Sequence, residues 1–241
     1  MEILAPRGLE MEKISVTIIP KNEEKNIGRC LESLQWVDEI IVVDTNSDDK
    51  TVEICKQYTD HVFNENWHGY GKQKNICAAK AQNRWILNID SDEVVTPELA
   101  EEIQKVQKEG PKYPVYHLTR KNYFGDRWVR FGGWYPDRIL RFYDKEKVAF
   151  SETQVHERLT PDENAGSLKR PLNHYSYRDH EDYIQRQDRY STLYAQEKMA
   201  NGFRANWTHL YLRPSFLFFK KFILKQGFTE GYLGLFLAKN A

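Results

Sequence analysis

Asp90-Ser91-Asp92 directly follows the apolar run WILNI. Two carboxylates at i and i+2 on an extended or turning segment can converge on one hard divalent cation. A Mg2+ or Mn2+ ion held there would complete its shell with diphosphate oxygens and water. As a bare pattern D-x-D is common, and solvated or capping carboxylates share it; its place at the end of an apolar strand gives it weight. A further carboxylate, Asp44, ends the apolar run EIIVVD, and Asn22, Glu23 and Glu24 follow ISVTIIP. Each of these has a plainer reading, Asp44 as a loop carboxylate capping the helix after Ser47 and Asn22 and Glu24 as helix-capping residues; Lys74, in GKQKN, has one as well, as a solvated helix lysine. The turn after the first apolar run, PKNEEKN, has no glycine until Gly28, and Gly69-Tyr70-Gly71 fits neither G-x-G-x-x-G nor G-x-x-x-x-G-K-[ST]. That argues against a Rossmann dehydrogenase and a P-loop NTPase, and acidic loop ends of this kind need a bridging cation before any phosphate can bind.

These residues need elements to hold them. Ile14 to Pro20 and Glu39 to Asp44 are β-branched, apolar runs of strand length, His61 to Glu65 is a shorter one, and Arg84 to Asp90 is a fourth. Between them the pattern predicts a helix with Asn22 at its cap and Ile27, Leu31 and Leu34 on its apolar face, a helix around Val52 to Tyr58, and one around Gln73 to Ala81. Thr96 and Pro97 suit the N-cap and first position of a further helix facing inward with Leu99, Ile103 and Val106. Strands alternating with helices give βαβ units, hence an α/β fold with a mostly parallel, Rossmann-like sheet and flanking helices. The polar residues above all lie just past strand C-terminal ends, the edge where ligands bind in open α/β sheets. After Gly110 the rhythm breaks into aromatic, arginine-rich segments such as VYHLTR and RILRFY. The expected organisation is a leader at 1–12, a ligand-binding half at 13–110, a smaller mixed β region at 111–180 and a C-terminal helical tail at 181–241.

The chain has 241 residues, with 35 Lys and Arg against 35 Asp and Glu. The zero balance hides an asymmetry: residues 1–110 hold 13 basic and 21 acidic side chains, a net of −8, and residues 111–241 hold 22 and 14, a net of +8. Three cysteines exclude a disulfide framework and a cysteine-based zinc site, no secretory signal opens the chain, and a reducing, cytoplasmic setting is expected. Residues 201–241 carry six Lys or Arg and one Glu, with Phe216, Phe218, Phe219, Phe222, Phe228 and Phe236 between them. Such interleaving suits a helix lying on an anionic membrane face. The apolar residues of Phe216 to Lys225 do not sort onto one side, which equally suits packing against the chain's own domain or a second subunit in a homo-oligomer. No nucleic-acid-binding motif accompanies the charge, so nucleic acid is not an expected partner.

Four segments, TIIPKNEEKNIGRCLESL, WVDEIIVVDTNSDDKTVEIC, GYGKQKN and WILNIDSDEVVTPEL, resemble in order the donor-binding half of a family 2 (GT-A fold) glycosyltransferase, and the similarity extends from about residue 13 to 235. The chain is similar in particular to the lipopolysaccharide core β-1,4-glucosyltransferase subgroup. It departs from the family at Pro20, where a small residue is usual, and at Asn46 and Lys50 in the loop after the second strand. The resemblance implies an inverting, metal-dependent transfer of a hexose from a UDP-sugar to a glycan, lipid-linked and core-like, at the cytoplasmic face of the membrane. It further implies that Asp44 accepts the uracil N3–H with Asn22 and Glu24 in the same pocket, and that Lys74 meets ribose or diphosphate. Asp90 would meet ribose or a metal-bound water, and Asp92 would ligate Mg2+ or Mn2+, with His174 as a further ligand. Glu157 would be the catalytic base, and Trp134 and Asp137 would hold the acceptor sugar. Two rival readings are a haloacid-dehalogenase-like phosphatase, since DSDEV fits a D-x-D-x-V nucleophile motif, and a sugar-nucleotide-binding protein without turnover.

Overall fold

A computed structural model describes residues 12–151, 158–160 and 164–240. The chain forms two compact units, one of Met1–Thr119 and Arg138–Asn173, the other of Arg120–Asp137 and His174–Ala241. In order, the elements are β1 (Ile14–Ile18), α1 (Ile27–Glu32), β2 (Glu39–Asp44), α2 (Thr51–Cys55), β3 (Val62–Asn64), α3 (Tyr70–Lys80), β4 (Trp85–Asn88), β5 (Glu93–Val95) and α4 (Pro97–Glu109). There follow β6 (Val115–Phe124), β7 (Arg127–Trp128), β8 (Asp137–Asp144), β9 (Ala149–Phe150), β10 (Leu159–Thr160), β11 (Gly166–Tyr177), α5 (His180–Ala200), α6 (Arg213–Phe219) and α7 (Tyr232–Lys239).

The sheet order is β3-β2-β1-β4-β8-β6-β11-β5, with β7 paired to β6. The β1–β2, β1–β4 and β2–β3 ladders are parallel, and β8 then joins β4 antiparallel, with Leu87 opposite Phe142. The α/β expectation therefore holds, and the parallel part is the half built from the alternating sequence. Its strands β1, β2 and β4 are buried along most of their length because both faces are covered, whereas β3 at the edge is largely exposed. On β2, Val42 enters one core with Leu31, Leu99 and Phe142, while Ile41 and Val43 enter the other with Cys77, Ile86 and Tyr143. The chain runs outward from β1 to β2 and β3, then returns to place β4 on the far side of β1. The order reverses at that point, between β1 and β4, the place on an open α/β sheet where ligands bind beyond the C-terminal strand ends.

Several boundaries differ from the sequence pattern. Asn22 does not cap α1; that place falls to Asn26, without a side-chain cap. Asn22 instead adopts φ 55, a left-handed conformation that Asn tolerates, and ties its loop to the one after β2. Helix α2 stops at Cys55, and α3 begins earlier than expected, at Tyr70. Thr96 caps α4 as expected, its hydroxyl accepting the Leu99 N–H, with Pro97 following. All three cysteines are buried free thiols.

In the second unit Phe124, Val129, Tyr183, Leu233 and Leu237 form a small core, with Trp134, Tyr177 and Phe236 packed on it. Of the tyrosines spaced along α5, Tyr183 is buried and Tyr190 and Tyr194 are exposed. Gly234 must be glycine, because a Cβ there would collide with the Gly227 carbonyl.

Asp144, at the end of β8, receives Arg84 Nε at 2.9 Å and a second guanidinium nitrogen at 2.6 Å. Burial works to raise the Asp144 carboxyl, but the Arg84 hydrogen bonds and charge prevail and hold it below the usual range. A lowered folded-state value contributes stability above the unfolded pKa, and that contribution is lost as pH falls through the folded one. Asp144→Asn is therefore expected to cost about 2 kcal/mol in urea denaturation at neutral pH. The difference from the wild type should shrink below about pH 4.

Candidate functional site

Strand β4 delivers Asn88 and then Asp90, Asp92 and Glu93 to the C-terminal edge of the sheet. The pivot is Arg141 on β8, only 6% exposed. Its guanidinium donates to Asn88 Oδ1 at 2.6 Å, to Asp90 Oδ2 and, at 3.6 Å, faces Glu93 Oε1. Asn88 in turn donates to the Thr17 carbonyl and hydroxyl at 3.2 and 3.1 Å, which fastens the cluster to β1. Fully buried Glu93 accepts the Asp90 N–H at 2.8 Å, closing the turn on itself. Lys74 of α3, expected from its sequence context to be a ligand contact or a solvated lysine, is buried with its ammonium 3.6 Å from Asp90 Oδ1 and 5.1 Å from the Phe150 ring centroid. Asp90 is thus held by two cations, and Asp92 lies half-buried between the anchored Asp90 and Glu93.

Three carboxylates crowd this turn. Cys30 lies beneath this turn, its thiol donating to the Asp90 carbonyl at 3.6 Å. Burial first, then the carboxylates of Glu93, Asp92 and Asp90, push that thiol well up, so it stays neutral and serves as packing.

The loops after β1 and β2 form a second layer of the same edge. Asp44 is 2% exposed and accepts both the hydroxyl and the N–H of Ser47, at 2.5 and 2.8 Å. The Asn22 N–H donates to Ser47 Oγ at 2.9 Å, and Asn22 Oδ1 accepts from the Asp48 N–H at 3.0 Å. The Glu24 N–H donates to Asp49 Oδ2 at 3.1 Å, while Glu24 Oε2 accepts from the Lys50 N–H at 3.3 Å. Asn22, Glu24 and Asp44 therefore share one hydrogen-bonded pair of loops. Asp44 holds its own loop and, since each carboxylate oxygen has further acceptor capacity, retains the means to take a ligand N–H.

The second unit carries a separate polar cluster. His174 Nδ1 lies 2.7 Å from Asn122 Oδ1 and 3.0 Å from Ser176 Oγ. Asn122 Nδ2 donates to the Trp134 carbonyl and to Asp137 Oδ2, both at 3.1 Å, and Asp137 also receives Arg120 Nε at 2.9 Å. His174, Trp134 and Asp137 are thereby linked through one asparagine. The Trp134 indole stands edge-on to Tyr177, with centroids 5.9 Å apart, and packs against the small core. Glu157 lies outside the described residues. Ser151 and Arg158, which flank its segment, are joined by hydrogen bonds of 2.8 and 3.0 Å.

Sequence reasoning missed Arg141, which reads in RILRFY as one more strand arginine, and Asn75, whose amide makes a two-way bond with the Phe150 backbone at 2.8 and 2.9 Å. The signal for Arg141 was its place between Leu140 and Phe142, in the part of the strand that enters the core, where a guanidinium requires acid nearby. Among the described residues no three His, Cys, Asp or Glu side chains converge as a ready-made metal cage.

Residues 15–160 match the family model for glycosyl transferase family 2. An uncharacterised glycosyltransferase of Rickettsia felis is 31% identical, across 93% of this chain and 83% of its own length. The lipopolysaccharide core biosynthesis glycosyltransferase LpsC of Rhizobium meliloti is 27% identical, across 92% of this chain and 87% of its own. Among solved structures, Staphylococcus aureus TarS 1-349 in complex with UDP superposes with a TM-score of 0.51 at 20% identity, covering 67% of this chain and 60% of that one. TarS 1-349 without a named ligand covers 91% and 75% at the same TM-score. At that identity the likeness is one of fold.

Removing Arg141 would leave Asp90 and Glu93 without their buried counter-charge. Arg141→Met is expected to cost about 3 kcal/mol or more, read as a lowered urea midpoint. Arg141→Lys should restore only part of it, because an ammonium cannot reproduce the fork that spans Asn88 and Asp90.

Proposed function

Because the chain belongs to glycosyl transferase family 2, we propose that it moves a hexose from a UDP-sugar to a hydroxyl of a glycan acceptor, by single displacement with inversion. The observation that carries this reading is the turn after β4, where Asp90 is locked by Arg141 and Lys74 and presents Asp92 at the sheet edge. TarS has been solved with UDP and with UDP-GlcNAc, and LpsC is named for lipopolysaccharide core biosynthesis. Those names support a uridine nucleotide sugar as donor and a lipid-linked, core-like glycan as acceptor for this chain too.

Each group has a task. Asp92 is assigned to Mg2+ or Mn2+, and a hard cation held by one carboxylate suits a donor that brings its own diphosphate oxygens. That cation would neutralise the charge of departing UDP. Asp90, with Lys74 beside it, meets the ribose or a metal-bound water, and Asp44 takes the uracil N3–H with Asn22 and Glu24 lining the pocket. Glu157 removes the proton of the attacking hydroxyl. Trp134 and Asp137 hold the acceptor sugar. His174 is assigned as a further cation ligand, its Nδ1 engaged by Asn122 and Ser176 so that Nε2 would coordinate; such a partner on the other nitrogen is the usual way a ligating imidazole is oriented. A reducing, cytoplasmic location suits the buried free thiols.

The phosphatase reading fails on topology as well as family, since its nucleophile motif belongs after the first strand and DSDEV follows β4. Turnover separates the remaining two. Incubation with Mn2+ and a panel of UDP-sugars, followed by thermal shift and UDP release, should give metal-dependent stabilisation and sugar-specific release. Stabilisation without release across a range of glycan acceptors would favour the inert binder.

Two substitutions divide the site. Asp92→Asn is expected to abolish Mn2+-dependent UDP binding in calorimetry, and undiminished binding would remove Asp92 from the metal site. Glu157→Gln should keep UDP binding and lose roughly 10²- to 10⁴-fold in turnover, as for loss of a general base.

A further inference from the structure

The chain from Trp207 to Phe228 is apolar on two sides. Helix α6 is flanked by π-helical turns at Thr208–Leu212 and Lys220–Leu224. Leu217, Phe218 and Phe222 turn inward and are half-buried. Leu212, Phe216, Phe219 and Ile223, at steps of four, three and four residues, form an opposite stripe that faces solvent. Phe216 is 59% exposed, Phe219 48% and Ile223 43%, with Trp207 at 64% on the flank. Inward packing inside the unit therefore accounts for only one of the two apolar faces, and the outer one is larger than a scatter of single exposed residues.

Charge identifies what covers it. Residues 199–229 contain no Asp or Glu, while Arg204, Arg213, Lys220, Lys221 and Lys225 lie among the aromatics. Among the described residues none of these five pairs with a carboxylate. Glu230 is buried, receiving Arg127 and the N–H groups of Arg130 and Phe131. A second copy docked through this face about a two-fold axis would set the same cations against each other with no acid between them. An acidic peptide or a nucleic acid would match the charge but not an outward row of Leu, Phe and Ile. A bilayer with anionic headgroups matches both, taking the cations on its phosphates and the apolar side chains at the acyl boundary. Among the described residues no helix is long and apolar enough to cross a membrane, so the segment would lie along the surface.

We infer that residues 207–228 form a membrane-surface element that docks the second unit onto anionic lipid through Phe216, Phe219 and Ile223, with Lys220 and Lys225 on the headgroups. A lipid-linked acceptor would then be met where the protein already rests, a consequence that depends on the transferase reading, whereas the docking itself does not.

The test uses the full chain with no donor or acceptor, so its outcome is independent of the transferase reading. Co-sedimentation with vesicles of phosphatidylcholine alone should be weak, and with phosphatidylcholine mixed with phosphatidylglycerol strong and reduced by salt. Lys220→Gln/Lys225→Gln, two exposed side chains, should weaken binding to the mixed vesicles by about 10- to 30-fold with an unchanged melting temperature. Phe216→Ser/Phe219→Ser should weaken it further. Equal sedimentation with and without phosphatidylglycerol overturns the inference. So does a wild-type dimer in size exclusion that Phe216→Ser/Phe219→Ser converts to monomer while neither protein binds vesicles.

Discussion

A guanidinium taken out of water needs counter-charge and acceptors, and in this chain that demand is met at the two terminal nitrogens of Arg141. The antiparallel register that sets Leu87 against Phe142 brings Arg141, one step on, opposite Asn88. From there the contacts branch: through Asn88 to Thr17 on β1, and through Asp90 and Glu93 to the turn that follows β4. A buried ion network of this kind is a poor source of net stability but a strong determinant of geometry, because no alternative arrangement satisfies all its charges. The turn is held at Asp90 and again at Glu93, so Asp92 between them has little freedom. Lys74 extends the network to α3, whose next residue, Asn75, fastens β9. The site is in this sense one polar lattice strung between two apolar cores.

The parts of the molecule that sequence made legible are those where one physical requirement dominates. Strands β1, β2 and β4 are buried on both faces, so their apolar runs have no competing explanation. Thr96-Pro97 declared the start of α4 because capping and proline geometry act locally. Asn22 looked like a cap for the same local reason and proved to be a cross-brace, since the loop after β2 offers it partners 26 residues away. That information is not contained in the neighbourhood of residue 22. Lys74 is a similar case: on a helical wheel it reads as solvent-facing, yet the Asp90 carboxylate from the turn after β4 supplies a counter-charge to its buried ammonium. The D-x-D turn could be found from sequence, whereas the arginine that holds it lay some fifty residues further on with no motif around it.

The tail shows how a pattern can be ambiguous for a structural reason. Its apolar residues refuse to sort onto one helical face because both sides of α6 are apolar, one turned toward the unit's own interior and one away. Leu212, Phe216, Phe219 and Ile223 keep α-helical steps of four, three and four on the outward side, and Leu217, Phe218 and Phe222 occupy much of the remaining circumference, so no single apolar face stands out. Charge adds what the pattern of apolar residues lacks, since residues 199–229 hold no acid on either side.

Glu230 gives the glycine loop at 132–133 an unusual dependency. Its carboxylate receives the amides of Arg130 and Phe131 and the side chain of Arg127, about a hundred residues earlier in the chain. The loop that carries Trp134 is therefore not self-supporting; its footing is completed only when a segment about a hundred residues further on has folded back onto it. On a ribosome the loop would have to wait for that segment to emerge before taking its final shape. In evolution it ties the divergence of that loop to the divergence of the C-terminal turn. A family member that loses the carboxylate must find another acceptor for two backbone amides, or else rebuild the loop.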